Sequence, residues 1–200
     1  PVYRFLPHKT QGEGFFLAAL RKPEEDREAD TDLFSPKKKK SKGDTAASPV
    51  SKENLAIAKS WLASSDEYNL LVNGTAITAF PVYYQNDLAL LRQSLRIVQA
   101  GTEVAEVKGK DLIPAHGLAM SRLLKTSVFS TEALTYEQAI AYLRKEAIVL
   151  PPSVPKGYVL VTYKEIPLGF VKNIGNRANN LYPQEWRIRS GYLPDDIRTL

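Results

Sequence analysis

The sequence predicts an α+β protein: a few short capped helices among short antiparallel strands, with the β-rich part at the C-terminal end. Three observations carry this. Ser51 and Thr135 are each placed to cap a helix, and Thr135-Tyr136-Glu137-Gln138 has the form of a capping box. Asn73-Gly74 stands between two apolar runs, as in a tight hairpin. After Pro151, Pro152 and Pro155 the chain turns to short β-rich runs at 158–163, 166–173 and 185–190. Together they suggest a mixed arrangement with a small antiparallel sheet or pseudo-barrel.

In chain order, residues 2–8 and 14–20 read as two strands joined by a loop. Two strands alone are marginal in water, so they are expected to belong to a larger sheet. Residues 24–32 then hold six acids against Arg27, followed by Lys37–Lys40 and Lys42. Like-charge blocks with few apolar residues cannot offset ordering entropy, so 23–50 is expected to be a flexible linker rather than a nucleic-acid contact. Beyond it, Leu55, Ala58 and Leu62 share a helix face with Trp61 beside it. A hairpin over 68–80 and a short helix from Asp87 to Leu95 follow. Strands are expected at 96–99 and 102–108, a helix from Pro114 to about Leu124, and another from Thr135 to about Lys145. Asn73-Gly74-Thr75 also matches a glycosylation sequon, but a turn explains it better in a chain without secretory features.

Composition narrows the function classes. The chain has no cysteine, which excludes disulfides, thiolate metal sites and a cysteine nucleophile within it. His8 and His116 have no neighbouring ligand pair, so no metal site is expected. Gly12-Glu13-Gly14 runs into Phe15-Phe16 and fails as a dinucleotide loop. Asp195-Asp196 lacks apolar surroundings and reads as a solvated turn. No apolar run is long enough to span a bilayer, so no membrane partner is expected. The sole methionine is Met120, which suggests a piece of a longer protein. No catalytic residue is assigned.

The informative segment is 156–190. It carries Lys156, Lys164, Lys172, Arg177, Arg187 and Arg189 against Glu165 and Glu185, a net +4 in a chain of net +5. Tyr158, Tyr163, Phe170, Tyr182 and Trp186 alternate with Asn173, Asn176, Asn179 and Asn180. Cations neutralise phosphates, amides pair with base edges, and exposed rings stack on unpaired bases. Phe170, Tyr158 and Trp186 are expected in the core. RNA contact is expected from Lys172, Asn173, Arg177, Asn179, Asn180, Arg187 and Arg189.

Two stretches carry a resemblance. Arg4-Phe5-Leu6-Pro7-His8 followed by Gly12-Glu13-Gly14-Phe15-Phe16-Leu17-Ala18 resembles the end of the catalytic domain in the Nol/Nop/Sun family of RNA 5-methylcytosine methyltransferases. Pro167-Leu168-Gly169-Phe170-Val171-Lys172 with Gly175-Asn176-Arg177-Ala178-Asn179-Asn180-Leu181-Tyr182-Pro183 is similar to the PUA-like RNA-binding domain of bacterial small-subunit rRNA methyltransferases of the F type. Leu112–Ala119 and Tyr142-Leu143-Arg144 look like earlier parts of that domain. The resemblance implies 1–22 as a remnant of a Rossmann-like methyltransferase sheet, 51–98 as a small α+β intermediate domain, and 99–200 as a PUA-like pseudo-barrel. It implies small-subunit ribosomal RNA as partner and a cytoplasmic monomer. The full-length enzymes use S-adenosylmethionine and two cysteines. Neither those cysteines nor a cofactor loop occurs here, so this segment is expected to bind no cofactor and to be inactive alone. His8 receives no catalytic role. The rival expectation is a protein-interaction module docking on a ribosomal or assembly protein through exposed aromatics.

Overall fold

The computed structural model describes residues 2–6, 8–9, 14–18 and 50–190. The chain forms two units, Pro1–Thr45 and Ala46–Leu200. In the first, β1 (Val2–Phe5) pairs antiparallel with β2 (Phe15–Ala18), from Val2 opposite Ala18 to Phe5 opposite Phe15. The two expected strands are therefore present. Tyr3, Phe5, Phe15, Phe16 and Leu17 are all exposed, because a two-stranded ribbon has no second layer to cover either face. The expected linker lies outside the described residues, apart from Val50. That residue is buried in the core of the second unit, so ordered packing starts by position 50.

The second unit opens with α1 (Lys52–Ser60), where the Ser51 hydroxyl accepts from the Asn54 backbone N–H at 3.1 Å. β3 (Tyr68–Asn73) and β4 (Ala76–Pro81) form the expected hairpin. Asn73 lies opposite Ala76, so the two loop residues are Gly74 and Thr75, one position later than Asn-Gly suggested. Only Gly74 takes a positive φ, +60°, as a turn with glycine in its first central position requires. α2 (Gln85–Ser94) follows, then β5 (Thr102–Lys108) and β6 (Asp111–Pro114), completing an antiparallel sheet of order β3-β4-β5-β6. Ala58, Trp61 and Leu62 pack with Ile77, Ala79, Val104 and Ala105 from this sheet.

The second sheet contains β7 (Ser130–Ala133), β8 (Gly157–Tyr163), β9 (Ile166–Asn173) and β10 (Ala178–Asn180), in the order β10-β9-β8-β7. β7 runs parallel to β8, and such a pair needs a crossover. The crossover contains α4 (Tyr136–Leu143), opened by the expected capping box: Thr135 Oγ1 accepts from Gln138 N, and Gln138 Oε1 accepts from Thr135 N. Leu160 and Phe170 join the core shared with the first sheet, whereas Tyr142, Val159, Val161 and Val171 form a second core beneath α4. The α+β class holds, with two four-stranded sheets and no closed barrel among the described residues.

Several local expectations need correction. Residues 96–99 are not a strand: β4 already has β3 and β5 as neighbours, and Val98 is 94% exposed. Pro114 ends β6 instead of opening a helix, and α3 is only His116–Ala119. Residues 185–190 form no strand; a 3-10 turn at Gln184–Trp186 leads into irregular chain. β4 and β5, on either side of residues 98 and 99, are hydrogen-bonded neighbours in one sheet.

Candidate nucleic-acid interface

The β8-β9-β10 end of the second sheet assembles the basic segment. Asn179 stands opposite Lys172, and Lys172 opposite Tyr158. Directly paired residues share a face, so an amide, an ammonium and a phenol form one row across three strands. The Lys172 ammonium lies 5.5 Å from the centre of the Tyr158 ring and 2.5 Å from Asp111 Oδ2 on β6. The bond to Asp111, with help from Tyr158, holds the lysine pKa above its usual value. Burial pushes the Tyr158 phenol up as well, so both groups keep their protons at neutral pH. Tyr158 is half-buried under this lysine, rather than a full core residue as expected.

Past the end of the row, the loop 174–177 is closed by Ile174 N donating to Arg177 O at 3.0 Å. Arg177 is exposed there. Gly175 has φ +103°, and a Cβ on it would come within 2.8 Å of Lys156 Cε. The loop therefore brings Lys156 alongside its own turn, and two cations extend the Asn179–Lys172 row.

Two of the seven expected contact residues have other work. Asn173 is only 5% exposed. Its Nδ2 donates to Val154 O (3.0 Å) and Pro155 O (3.1 Å), while its Oδ1 accepts from Gly175 N at 2.9 Å. Asn180 Nδ2 donates to Tyr142 O (2.8 Å) and Glu146 O (3.0 Å), and its Oδ1 accepts from Tyr182 N. Both amides are consumed in fastening loops. They fit positioning roles, and the sequence could not separate them from Asn179, which is exposed.

Arg187 and Arg189 occupy a second place. The chain after the 3-10 turn is tied to the end of α4 by Ile188 N donating to Leu143 O at 3.0 Å. Both arginines line a shallow recess with Arg144, Glu146 and Ser190. Arg144 is a third cation in this recess, and the sequence reading did not single it out as a contact. Its Nε and Nη2 are buried without hydrogen-bond partners. A cation at the end of a capped helix was the available signal, but nothing local marks it as facing this recess.

The aromatics divide as well. Phe170 is buried, as expected, against Phe129 at 4.8 Å. Trp186 is 62% exposed, contrary to expectation. It contacts the His116 ring edge-on at 5.3 Å, and His116 also meets Tyr182 at 5.1 Å. Burial lowers the His116 pKa, leaving the imidazole neutral near pH 7. Lys145, in a left-handed conformation after α4, donates to the carbonyls of Asn180 and Tyr182. No cluster of possible metal ligands occurs among the described residues, and no helix among them is long and apolar enough to cross a membrane.

Residues 129–188 match the family described as the methyltransferase RsmF PUA domain. This match begins just before β7 and ends within the arginine-bearing segment, so it covers the second sheet and leaves β3–β6 outside. Over 195 residues, 94% of this chain, the sequence is 27% identical to the ribosomal RNA small subunit methyltransferase F of Shigella boydii serotype 4 and 28% identical to that of Enterobacter sp. strain 638. Over 186 residues, 90% of the chain, it is 27% identical to the same-named protein of Shewanella piezotolerans. The chain spans 38%, 37% and 36% of the length of these three relatives. The resemblance read from the sequence thus stands: the chain is similar to the C-terminal region of small-subunit ribosomal RNA methyltransferases of the F type, with their PUA domain matched at residues 129–188.

Proposed function

We propose that this region binds structured small-subunit ribosomal RNA and positions it for a catalytic domain elsewhere in a longer, S-adenosylmethionine-dependent cytosine-C5 methyltransferase of the Nol/Nop/Sun family. The observation that carries the reading is the Asn179–Lys172–Tyr158 row, extended by Arg177 and Lys156, on a segment matching an RNA methyltransferase PUA domain. Lys172 and Arg177 neutralise phosphates. Asn179 offers an amide to a base or sugar edge, and Arg187 and Arg189 extend the basic surface. Asn173 and Asn180 hold the backbone that presents them. Chemistry at C5 of a stacked cytosine requires the base to leave the stack, and a region that fixes the surrounding RNA lowers the entropy cost of presenting it.

Among the described residues no glycine-rich turn links a strand to a helix, so none of them is assigned to S-adenosylmethionine. No catalytic step is assigned to it. The expected setting is a cytoplasmic monomer.

A mobility-shift titration against a small-subunit rRNA fragment at several salt concentrations tests the reading. Replacing Lys172 and Arg177 by Glu together should weaken binding and flatten the log–log salt slope by about 2, roughly one per lost phosphate contact. Unchanged affinity and slope would refute it. One observation favours the protein-docking alternative: Tyr83, Leu91, Leu95 and Val98 are exposed apolar side chains on and around α2. That reading requires binding to a ribosomal or assembly protein that is insensitive to both salt and nuclease.

A further inference from the structure

A cavity of about 700 Å³, within the size range of small-ligand sites, opens between the first sheet and the chain that follows β10. Glu103 and Glu106 on β5 line one side, and Trp186, Glu185 and Lys145 line the other. The Trp186 ring meets His116 at a steep interplanar angle of 77°, and most of its surface is in solvent. The ammonium of Lys145 is spent on the carbonyls of Asn180 and Tyr182. Three carboxylates share the lining with two cations, Lys108 and Lys145, the latter interacting with Glu185. An acid-walled cavity beside a basic surface repels phosphate, but it accepts a flat ring that brings N–H donors. Burial and the neighbouring Glu106 push the Glu103 carboxyl above its usual range, as expected of a carboxylate short of donors.

We propose that this cavity receives one unpaired guanine of the bound RNA, stacked on Trp186 and paired through N1–H and its 2-amino group to the Glu103 carboxylate. Guanine alone among the standard bases places two adjacent donors on its Watson–Crick edge, which suits the two oxygens of one carboxylate. Adenine would turn its N1 lone pair toward the acid, and uracil a carbonyl oxygen. The proposal rests on the RNA-binding reading above. It adds a base-reading site walled in part by β5, outside the PUA-matched segment.

The test uses the full chain and fluorescein-labelled RNA hairpins with all-uridine loops, carrying one guanine, one inosine or neither. Anisotropy titrations are run at several salt concentrations. The wild-type chain should prefer guanine over inosine, which lacks the 2-amino group, and Glu103→Ala should erase that preference. Trp186→Leu should weaken guanine-loop binding by about five- to a hundredfold, with the salt slope unchanged. Lys172→Glu with Arg177→Glu should instead lower the slope while keeping the guanine preference. Circular dichroism and melting curves check that the surface variants stay folded. If RNA binds through Lys172 and Arg177 but neither inosine nor Trp186→Leu changes affinity, the guanine site is refuted and the RNA-binding reading survives. A cationic protein segment would then be the better occupant. If the wild-type chain binds none of the hairpins and no rRNA fragment, both readings fall.

Discussion

Replacing Asn173 with Ala should destabilise the fold by about 2–4 kcal/mol. The Asn173 side chain makes three hydrogen bonds of 2.9–3.1 Å: two donated to Val154 O and Pro155 O, and one accepted from Gly175 N. A buried hydrogen bond contributes about 0.5–1.5 kcal/mol net, and the sum approaches its upper end when partners are left without water. Asn173 is only 5% exposed, so its abandoned partners gain little solvent. In a chain of this size, such a loss lowers Tm by roughly 5–15 °C. Asn173→Asp should be worse than Ala, because it keeps the acceptor for Gly175 but buries a negative charge against two carbonyl oxygens. Asn179→Ala is the control: that side chain is exposed, one row away, and should cost less than about 0.5 kcal/mol. Urea denaturation followed by far-ultraviolet circular dichroism gives all three values. If Asn173→Ala matched Asn179→Ala, the assignment of Asn173 to loop anchoring would be wrong, and its amide would return to the list of RNA contacts.

Gly169 sits at φ +143°, where a Cβ would run into the Tyr142 hydroxyl and lie 2.9 Å from His116 Nδ1. Gly169→Ala should therefore cost more than about 2 kcal/mol in a melting experiment, through steric overlap and backbone strain together. Thr135→Ala removes the hydroxyl half of the capping box of α4, leaving the bond from the residue 135 backbone N–H to Gln138, and should cost about 1 kcal/mol by urea titration, with Thr135→Ser recovering most of it. The His116 pKa is lowered from 6.5 by burial, so the unfolded chain binds more protons just below that pH. Stability should fall as pH drops through 6.5 toward the depressed folded value and then level off. Tm measured from pH 7.5 to 4.5 should lose this step in His116→Phe.

Much of the local structure was legible because the signals are local. Ser51 and Thr135 cap helices through their own hydroxyls, and Gly74 makes the hairpin turn by adopting a φ that other residues resist. Strands β8 and β9 announce themselves as continuous apolar runs, as befits strands covered on both faces. The basic segment was legible as composition, and Lys172, Arg177 and Asn179 do come together on adjoining strands and one loop. Composition does not sort the amides: Asn173, Asn179 and Asn180 have the same chemistry, and strand register decides which is buried.

The sequence by itself determined the α+β class, the caps that open α1 and α4, the existence of the hairpin over 68–80 and the concentration of positive charge after Pro155, since each depends on residues within a few positions of one another. Tertiary structure alone decided the rest. Ser130–Ala133 becomes a strand only because β8 offers a parallel edge, and residues 96–99 stay outside the sheet because both edges of β4 are taken. Arg144 and Trp186 gain their positions only when residues 184–189 are laid against α4 and α3. Hydrogen bonds to one's own turn are written locally. Which face a side chain finally meets is settled by pairing and packing between segments distant along the chain.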